Sequence, residues 1–201
     1  MDIPRIFTIS ESEHRIHNPF TPEKYATLGR VLRMKENWQI LDLGSGSGEM
    51  LCTWAHDYNI TGIGIDISPL FTLQAKSRAE ELGVSHRVHF IHHDASDYIS
   101  DKKCDIAACI GATWIADGVI ETIELLAKSI KTGGLILIGE PYWRQIPTTQ
   151  EIAQACGASS ISDFLTLSEL VVSFDNQGYD LVEMVLADQE GWDRYEAAKW
   201  M

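Results

Sequence analysis

Four apolar runs in this 201-residue chain end in a carboxylate, and a cluster of glycines follows the first of them. The first run ends Asp42-Leu43-Gly44-Ser45-Gly46-Ser47-Gly48-Glu49, the second at Asp66, the third at His92-His93-Asp94 and the last at Glu140. Glycines at alternate positions let a backbone approach a ligand closely, and ionised carboxylates accept from hydroxyls and amines. The set therefore suits a ligand with hydroxyls, an amine or a positive charge better than one rich in phosphate. His14, His17, His93, Glu140 and Tyr142 are the groups able to take a proton from a reacting atom near neutral pH. His86, His89, His92 and His93 do not read as a metal site. On a strand His89 and His93 share a face while His92 takes the other, and no chelating carboxylate set accompanies them. No metal is expected.

The elements that position these residues alternate. Thr21 as N-cap and Pro22 in the first turn start a helix through about Met34. Trp38 to Leu43 reads as a buried strand, and Met50/Leu51, Trp54/Ala55 and Tyr58 then recur at helical spacing. Thr61 to Ile65 is a second strand, followed by a helix capped by Ser68 and Pro69 and stopped at Gly83. Arg87 to Ile91 and Cys104 to Ile110 are further strands. A helical period from Val119 then runs to Lys131, and Gly133-Gly134 open a fifth strand, Leu135 to Gly139. Helices are expected around Thr148 to Cys156 and Leu167 to Gln177, a sixth strand from Asp180 to Ala187, and a last helix from Trp192 to Met201. This order predicts an α/β fold with a doubly wound, mostly parallel sheet and helices on both faces. In such a sheet ligands bind at the carboxyl ends of the strands, where the acids and glycines lie.

The glycine spacing separates two cofactor classes. A dinucleotide loop reads G-x-G-x-x-G with a helix N-terminus facing a pyrophosphate, and a P-loop ends in Gly-Lys-Ser/Thr. Here the glycines fall at 44, 46 and 48, with Asp42 and Glu49 at the loop's edges, where they would repel a pyrophosphate. The pattern Asp-x-Gly-x-Gly-x-Gly resembles motif I of the class I S-adenosylmethionine (SAM) dependent methyltransferases, and the order of later motifs resembles that family from about Leu28 to Ala187. The resemblance implies that Gly44, Ser45, Gly46 and Gly48 pass the methionine part of SAM, with Asp42 as the motif's acid. It implies that Asp66, beside Ile67, takes the ribose diol, that Asp94 and Ala95 read the adenine edge, and that Ile110 and Gly111, near Trp114, lie beneath the methionine moiety. A closer likeness, through His14 to Leu32 and Gly139 to Trp143, is to uncharacterised bacterial small-molecule methyltransferases.

One domain is expected over 1–201, with 1–20 as an N-terminal arm or lid and 141–178 as a helical insertion on the substrate side. The expected activity is transfer of the SAM methyl to a small organic acceptor, releasing S-adenosylhomocysteine, with Glu140, Tyr142 and His17 as catalytic groups. Two alternatives stay open: an NAD-dependent oxidoreductase, which shares the fold class and Asp66, and a SAM-binding protein left inactive by truncation. The family closes its sheet with a seventh strand that nothing after Ala187 supplies, so an uncovered edge and association into a homo-oligomer are expected.

Composition narrows the partners. Twenty-nine acids against 16 bases give a formal charge of −13, so the mean field repels nucleic acid and anionic lipid. Ile110-Gly111-Ala112-Thr113-Trp114 also lacks the Asn/Asp-Pro-Pro-aromatic signature of amino methyltransferases acting on DNA. A small-molecule substrate is expected, with neither nucleic acid nor membrane as partner. No apolar run approaches a bilayer span, the N-terminus carries no signal pattern, and Cys52, Cys104, Cys109 and Cys156 form no C-x-x-C pair. A cytoplasmic protein is expected.

Overall fold

The computed structural model describes residues 9–12 and 14–197. The chain divides into two compact units, Met1–Gly139 with Val185–Met201, and Glu140–Met184.

The first unit begins with a helical turn at 9–11 and an irregular segment to Phe20. Helix α1 (Pro22–Val31) follows, with the Thr21 hydroxyl accepting the Lys24 amide. Then come β1 (Gln39–Leu43), α2 (Glu49–Tyr58), β2 (Thr61–Asp66), α3 (Pro69–Glu81), β3 (Val88–His92) and β4 (Cys104–Ile110). A 3₁₀ turn (Thr113–Ala116), α4 (Val119–Ala127) and β5 (Ile130–Gly139) continue the unit, and α7 (Gln189–Ala197) returns to it. The Ser68 hydroxyl caps α3 through the Phe71 amide, and Gly83 leaves the helix at φ +69°, as the sequence predicts.

All five strands run parallel in the order β3-β2-β1-β4-β5, so the direction of winding reverses between β1 and β4. Successive residues of β1 point to opposite faces. Ile40 joins Tyr25, Leu28, Leu51, Trp54, Ala75 and Phe90 in one core, whereas Leu41 and Leu43 join Ile65, Cys109, Leu125 and Leu126 in the other. Helices α1, α2 and α3 thus cover one face and α4 the other. Burial on both faces is why β1 and β4 read as almost unbroken apolar runs.

Several expected boundaries move. Helix α4 ends at Ala127, and β5 begins at Ile130. Gly133 and Gly134 lie inside β5: Cys104 pairs with Ile130 but Ile106 with Leu135, so Lys131 to Gly134 bulge out of register, with Gly133 at φ +77°. The sixth strand expected from Asp180 to Ala187 does not form among the described residues. Leu181, Val182, Met184 and Leu186 are exposed there. An apolar alternation is compatible with a strand but supplies no backbone partner, and a strand exists only where a neighbour takes its N–H and C=O groups. The described sheet therefore has five strands. The last helix begins at Gln189, three residues before its expected start, and its expected end at 198–201 lies outside the described residues.

The second unit contains α5 (Gln150–Ala155), a 3₁₀ turn (Ile161–Asp163) and α6 (Leu167–Asn176), the two helices expected there. Trp143 organises it: its amide bonds to the Leu165 carbonyl, its Nε1 donates to Ile161 O at 2.8 Å, and its ring meets Phe164 edge-on at 5.3 Å. Helix α6 carries a capping box, with Thr166 and Glu169 each satisfying the other's backbone amide.

Candidate functional site

The glycine loop leaves β1 and enters α2 with three glycines in the left-handed region, Gly44 at φ +74°, Gly46 at +53° and Gly48 at +73°. Each is also a point of close approach. A Cβ on Gly48 would lie 2.6 Å from Phe90 Cζ, one on Gly44 2.7 Å from the Ala112 Cβ, and one on Gly46 2.8 Å from His17 Nδ1. Only glycine meets both demands.

Two buried carboxyls flank this loop. Asp66, ending β2, accepts the Gly46 amide on Oδ2 at 2.7 Å and the Ser68 amide on Oδ1 at 2.8 Å. Burial nevertheless raises its pKa, with the two amides and His92 opposing. Asp42 is 4% exposed, and burial together with the Asp66 charge pushes its pKa from the ordinary 3.8 up to about 8. The Ser45 hydroxyl of the loop is buried and has no hydrogen-bond partner.

Glu49, the other loop acid, plays a different part from the one expected. Its two oxygens take Nε and Nη2 of Arg78 at 2.8 and 3.0 Å, a bidentate pair linking α2 to α3. That charge is compensated by Arg78, so Glu49 does not act on the loop as the repelling acid expected of it.

A pocket opens over the loop, lined by Asp42, Gly44, Ser45, Gly46, Ser47 and Ile110 on one side and by Arg15, His17, Asn18 and Tyr25 on the other. The irregular segment before α1 thus forms its second wall. Asn18 Nδ2 donates to the Tyr25 hydroxyl at 2.9 Å, and the His17 ring packs edge-on against Phe71 at 4.2 Å. Helix α7 holds this segment down. Tyr195 donates to Glu11 at 2.8 Å, Glu11 holds His14 Nδ1 at 2.6 Å, and Arg194 donates to the Phe20 carbonyl. Gly191 lets the helix approach, since a Cβ there would meet Pro19 O.

The expected residues separate into groups. Asp42, Gly44, Ser45, Gly46, Ile110 and His17 share the pocket, and Asp66 is bonded into its loop. Gly48 lies on the far side of the loop, against Phe90 and Ala75. Gly111, at φ +77°, lies 3.5 Å by its would-be Cβ from Asn18 Cβ. Ile67 is tied by its carbonyl to His92 Nε2. Asp94 is exposed and accepts the Ser96 amide, bonds that lower its pKa, while Ala95 is buried beneath it. Trp114 is 60% exposed. Glu140 and Tyr142 follow β5 and belong to the second unit. Sequence reasoning missed Arg15, Asn18, Tyr25 and Gln74. Tyr25 reads as an apolar-face residue of α1, and nothing in the pattern reveals that its hydroxyl reaches Asn18. Among the described residues no group of three His, Cys, Asp or Glu is placed to hold a metal, and no helix is long and apolar enough to cross a membrane.

A parallel sheet reversing at β1/β4, with a glycine loop between buried strand-end acids, defines a class of enzyme. A family model described as a methyltransferase domain matches residues 40–134, and the chain belongs to the class I SAM-dependent methyltransferases. It is 77% identical over 201 residues to the uncharacterized protein YjhP of Escherichia coli K12, an alignment covering 100% of this chain and 81% of that protein. Among solved structures, a SAM-dependent methyltransferase from Geobacter sulfurreducens in complex with S-adenosyl-L-homocysteine superposes with TM-score 0.97 at 69% identity, over 99% of this chain and 80% of that one. The corresponding complex from Thiobacillus denitrificans superposes with TM-score 0.96 at 66% identity, over 100% and 81%. The nicotinamide alternative gives way to this family.

Proposed function

We propose that the chain transfers the methyl group of SAM to a small organic acceptor by in-line displacement, releasing S-adenosylhomocysteine. The observation that supports it best is the pair of buried acids, Asp42 and Asp66, on either side of a left-handed glycine loop. The residues present fit such a cofactor. Ser45 carries a buried hydroxyl lacking a partner, and the loop glycines leave a cradle that side chains would fill. Acidic groups suit a cation, and each Asp66 oxygen, with one amide bond, keeps a lone pair for a hydroxyl.

The methyl of a bound sulfonium is already activated, so the protein has little covalent chemistry to perform. Asp42 and Asp66 hold and orient, and the segment carrying His17 and Asn18 excludes water. Asp94 with Ala95, and Ile110 with Gly111, complete the proposed cofactor contacts. Glu140 and Tyr142 are the proposed groups for taking a proton from an acidic acceptor. The net charge of −13 supports a small acceptor over nucleic acid or an anionic membrane.

Thermal unfolding with SAM, S-adenosylhomocysteine and NADH added separately tests the reading. A ligand at 100 times its dissociation constant stabilises by about 2.7 kcal/mol, enough to move the midpoint by several degrees. The two sulfur nucleosides are expected to raise it and NADH to leave it unchanged. A shift with NADH alone overturns the assignment.

A further inference from the structure

His17 was expected to act as a base, but its surroundings give it a more specific part. Both hydrogen bonds of its ring are made by Nε2, at 3.0 Å from the His14 carbonyl and 2.9 Å from the Ser47 hydroxyl. A carbonyl only accepts, so Nε2 carries the proton. A second chain of bonds enforces the same assignment. Gln74 on α3 donates from Nε2 to the Ser12 carbonyl at 3.1 Å, which turns its Oε1 toward Ser47, and Oε1 takes the Ser47 proton at 2.7 Å. Ser47 then has only lone pairs to offer His17. Burial lowers the pKa of the ring, so it stays neutral at pH 7. Nδ1 is left with a lone pair, 2.8 Å from where a Cβ on Gly46 would sit.

His17 lines the pocket together with Asp42, Arg15, Asn18 and Tyr25, and the Arg15 guanidinium lies 3.9 Å from Glu49 and 3.7 Å from Glu81. An acidic and a basic residue lining one pocket suit a zwitterion, whose ammonium favours the ionised form of the acid. In SAM the α-amino-acid end is the zwitterionic part, and its ammonium has three donors and no acceptor. Resting on the assignment of this pocket to SAM, we propose that Ser47 and Gln74 are positioning residues that fix His17 as the Nε2–H tautomer, so that Nδ1 accepts from the ammonium of the cofactor. No step of methyl transfer passes through His17 in this arrangement. It selects for the amino-acid end and ties the segment before α1 to the loaded site.

Isothermal titration of S-adenosylhomocysteine and of 5′-methylthioadenosine, which lacks the amino-acid end, tests the proposal. His17→Ala is expected to weaken S-adenosylhomocysteine about tenfold or more, in the range for a hydrogen bond to a charged group, Gln74→Leu to weaken it by less because the His14 carbonyl is kept, and both to leave 5′-methylthioadenosine unchanged. Equal weakening of both ligands, or of neither, overturns it. Long-range ¹⁵N–¹H spectra of the wild-type protein supply a readout independent of any variant. The His17 proton is expected on Nε2, and Gln74→Leu, which frees the Ser47 proton to compete with the His14 carbonyl at Nε2, is expected to raise the Nδ1–H fraction above that of the wild type. A proton on Nδ1 in the wild type overturns the proposal. Wild-type protein that binds neither ligand overturns the cofactor assignment with it, whereas wild type and variants that bind S-adenosylhomocysteine alike overturn the role of His17 alone.

Discussion

Asp66 Oδ2 accepts the backbone amide of Gly46 at 2.7 Å, joining the end of β2 to the middle of the loop that leaves β1. The same carboxylate holds the Ser68 amide at the start of α3. One side chain therefore shapes the loop and, in the proposed function, carries the acceptors for two neighbouring hydroxyls. Its effects on stability oppose each other: the two amide bonds favour its charge, while desolvation disfavours it.

Replacing Asp66 by Ala should thus change affinity more than stability. Loss of hydrogen bonds to a charged group corresponds to about 1.5 to 3 kcal/mol of binding free energy. Titration of S-adenosylhomocysteine into Asp66→Ala reads this directly, with urea unfolding as the control. An unchanged dissociation constant would remove Asp66 from the site.

The loop glycines should separate folding from binding. Gly48→Ala pushes a Cβ to 2.6 Å from Phe90 and 2.7 Å from Ala75, both core atoms, at φ +73°. Overpacking of a core costs about 1 to 3 kcal/mol, to which the left-handed backbone adds about 1 to 2 kcal/mol. A clear drop in unfolding free energy is expected. Gly46→Ala meets the edge of the His17 ring instead, at the pocket wall, so the ring has to shift. That variant should lose less stability and more affinity. Denaturant unfolding and cofactor titration of the two, side by side, would contradict this if Gly46→Ala proved the less stable.

The alternation of apolar runs, the Thr21 and Ser68 caps and the glycine loop are local signals, and all are legible in the sequence because each rests on contacts a few residues apart. The expected strand from Asp180 to Ala187 shows the limit of such signals: Leu181, Val182 and Met184 have a strand's composition, but strand formation needs a partner that composition does not name. Gly133-Gly134 were legible as a break, yet they lie within β5 because Ile130 pairs with Cys104 before the bulge. In the site, strand-end acids were legible because parallel topology fixes where strands end. The Asn18–Tyr25 and Ser47–Gln74 pairs were not, since each depends on how the segment before α1 and helix α3 approach the loop. Glu49 misled for the same reason, its partner Arg78 lying 29 positions away.

Asp42 should give the loop a measurable pH dependence. Its folded pKa of about 8 stands far above the ordinary 3.8, so between about pH 4 and 8 the folded protein binds more protons at this position than the unfolded chain. Stability contributed by this group is therefore lost as pH rises through that window. Asp42→Asn removes the titration without changing shape, and its unfolding midpoint should exceed that of the wild type by a margin that grows from pH 5 to pH 8. A cationic ligand beside Asp42 favours the ionised form, so cofactor binding below pH 8 should release a proton, and wild-type affinity should rise toward pH 8 while that of Asp42→Asn stays low and flat. Thermal scans across the pH range, with titrations in buffers of different ionisation enthalpy, measure both effects. Parallel midpoint curves for the two proteins would mean that Asp42 is already ionised at pH 5, with its charge stabilised by groups other than those around the loop.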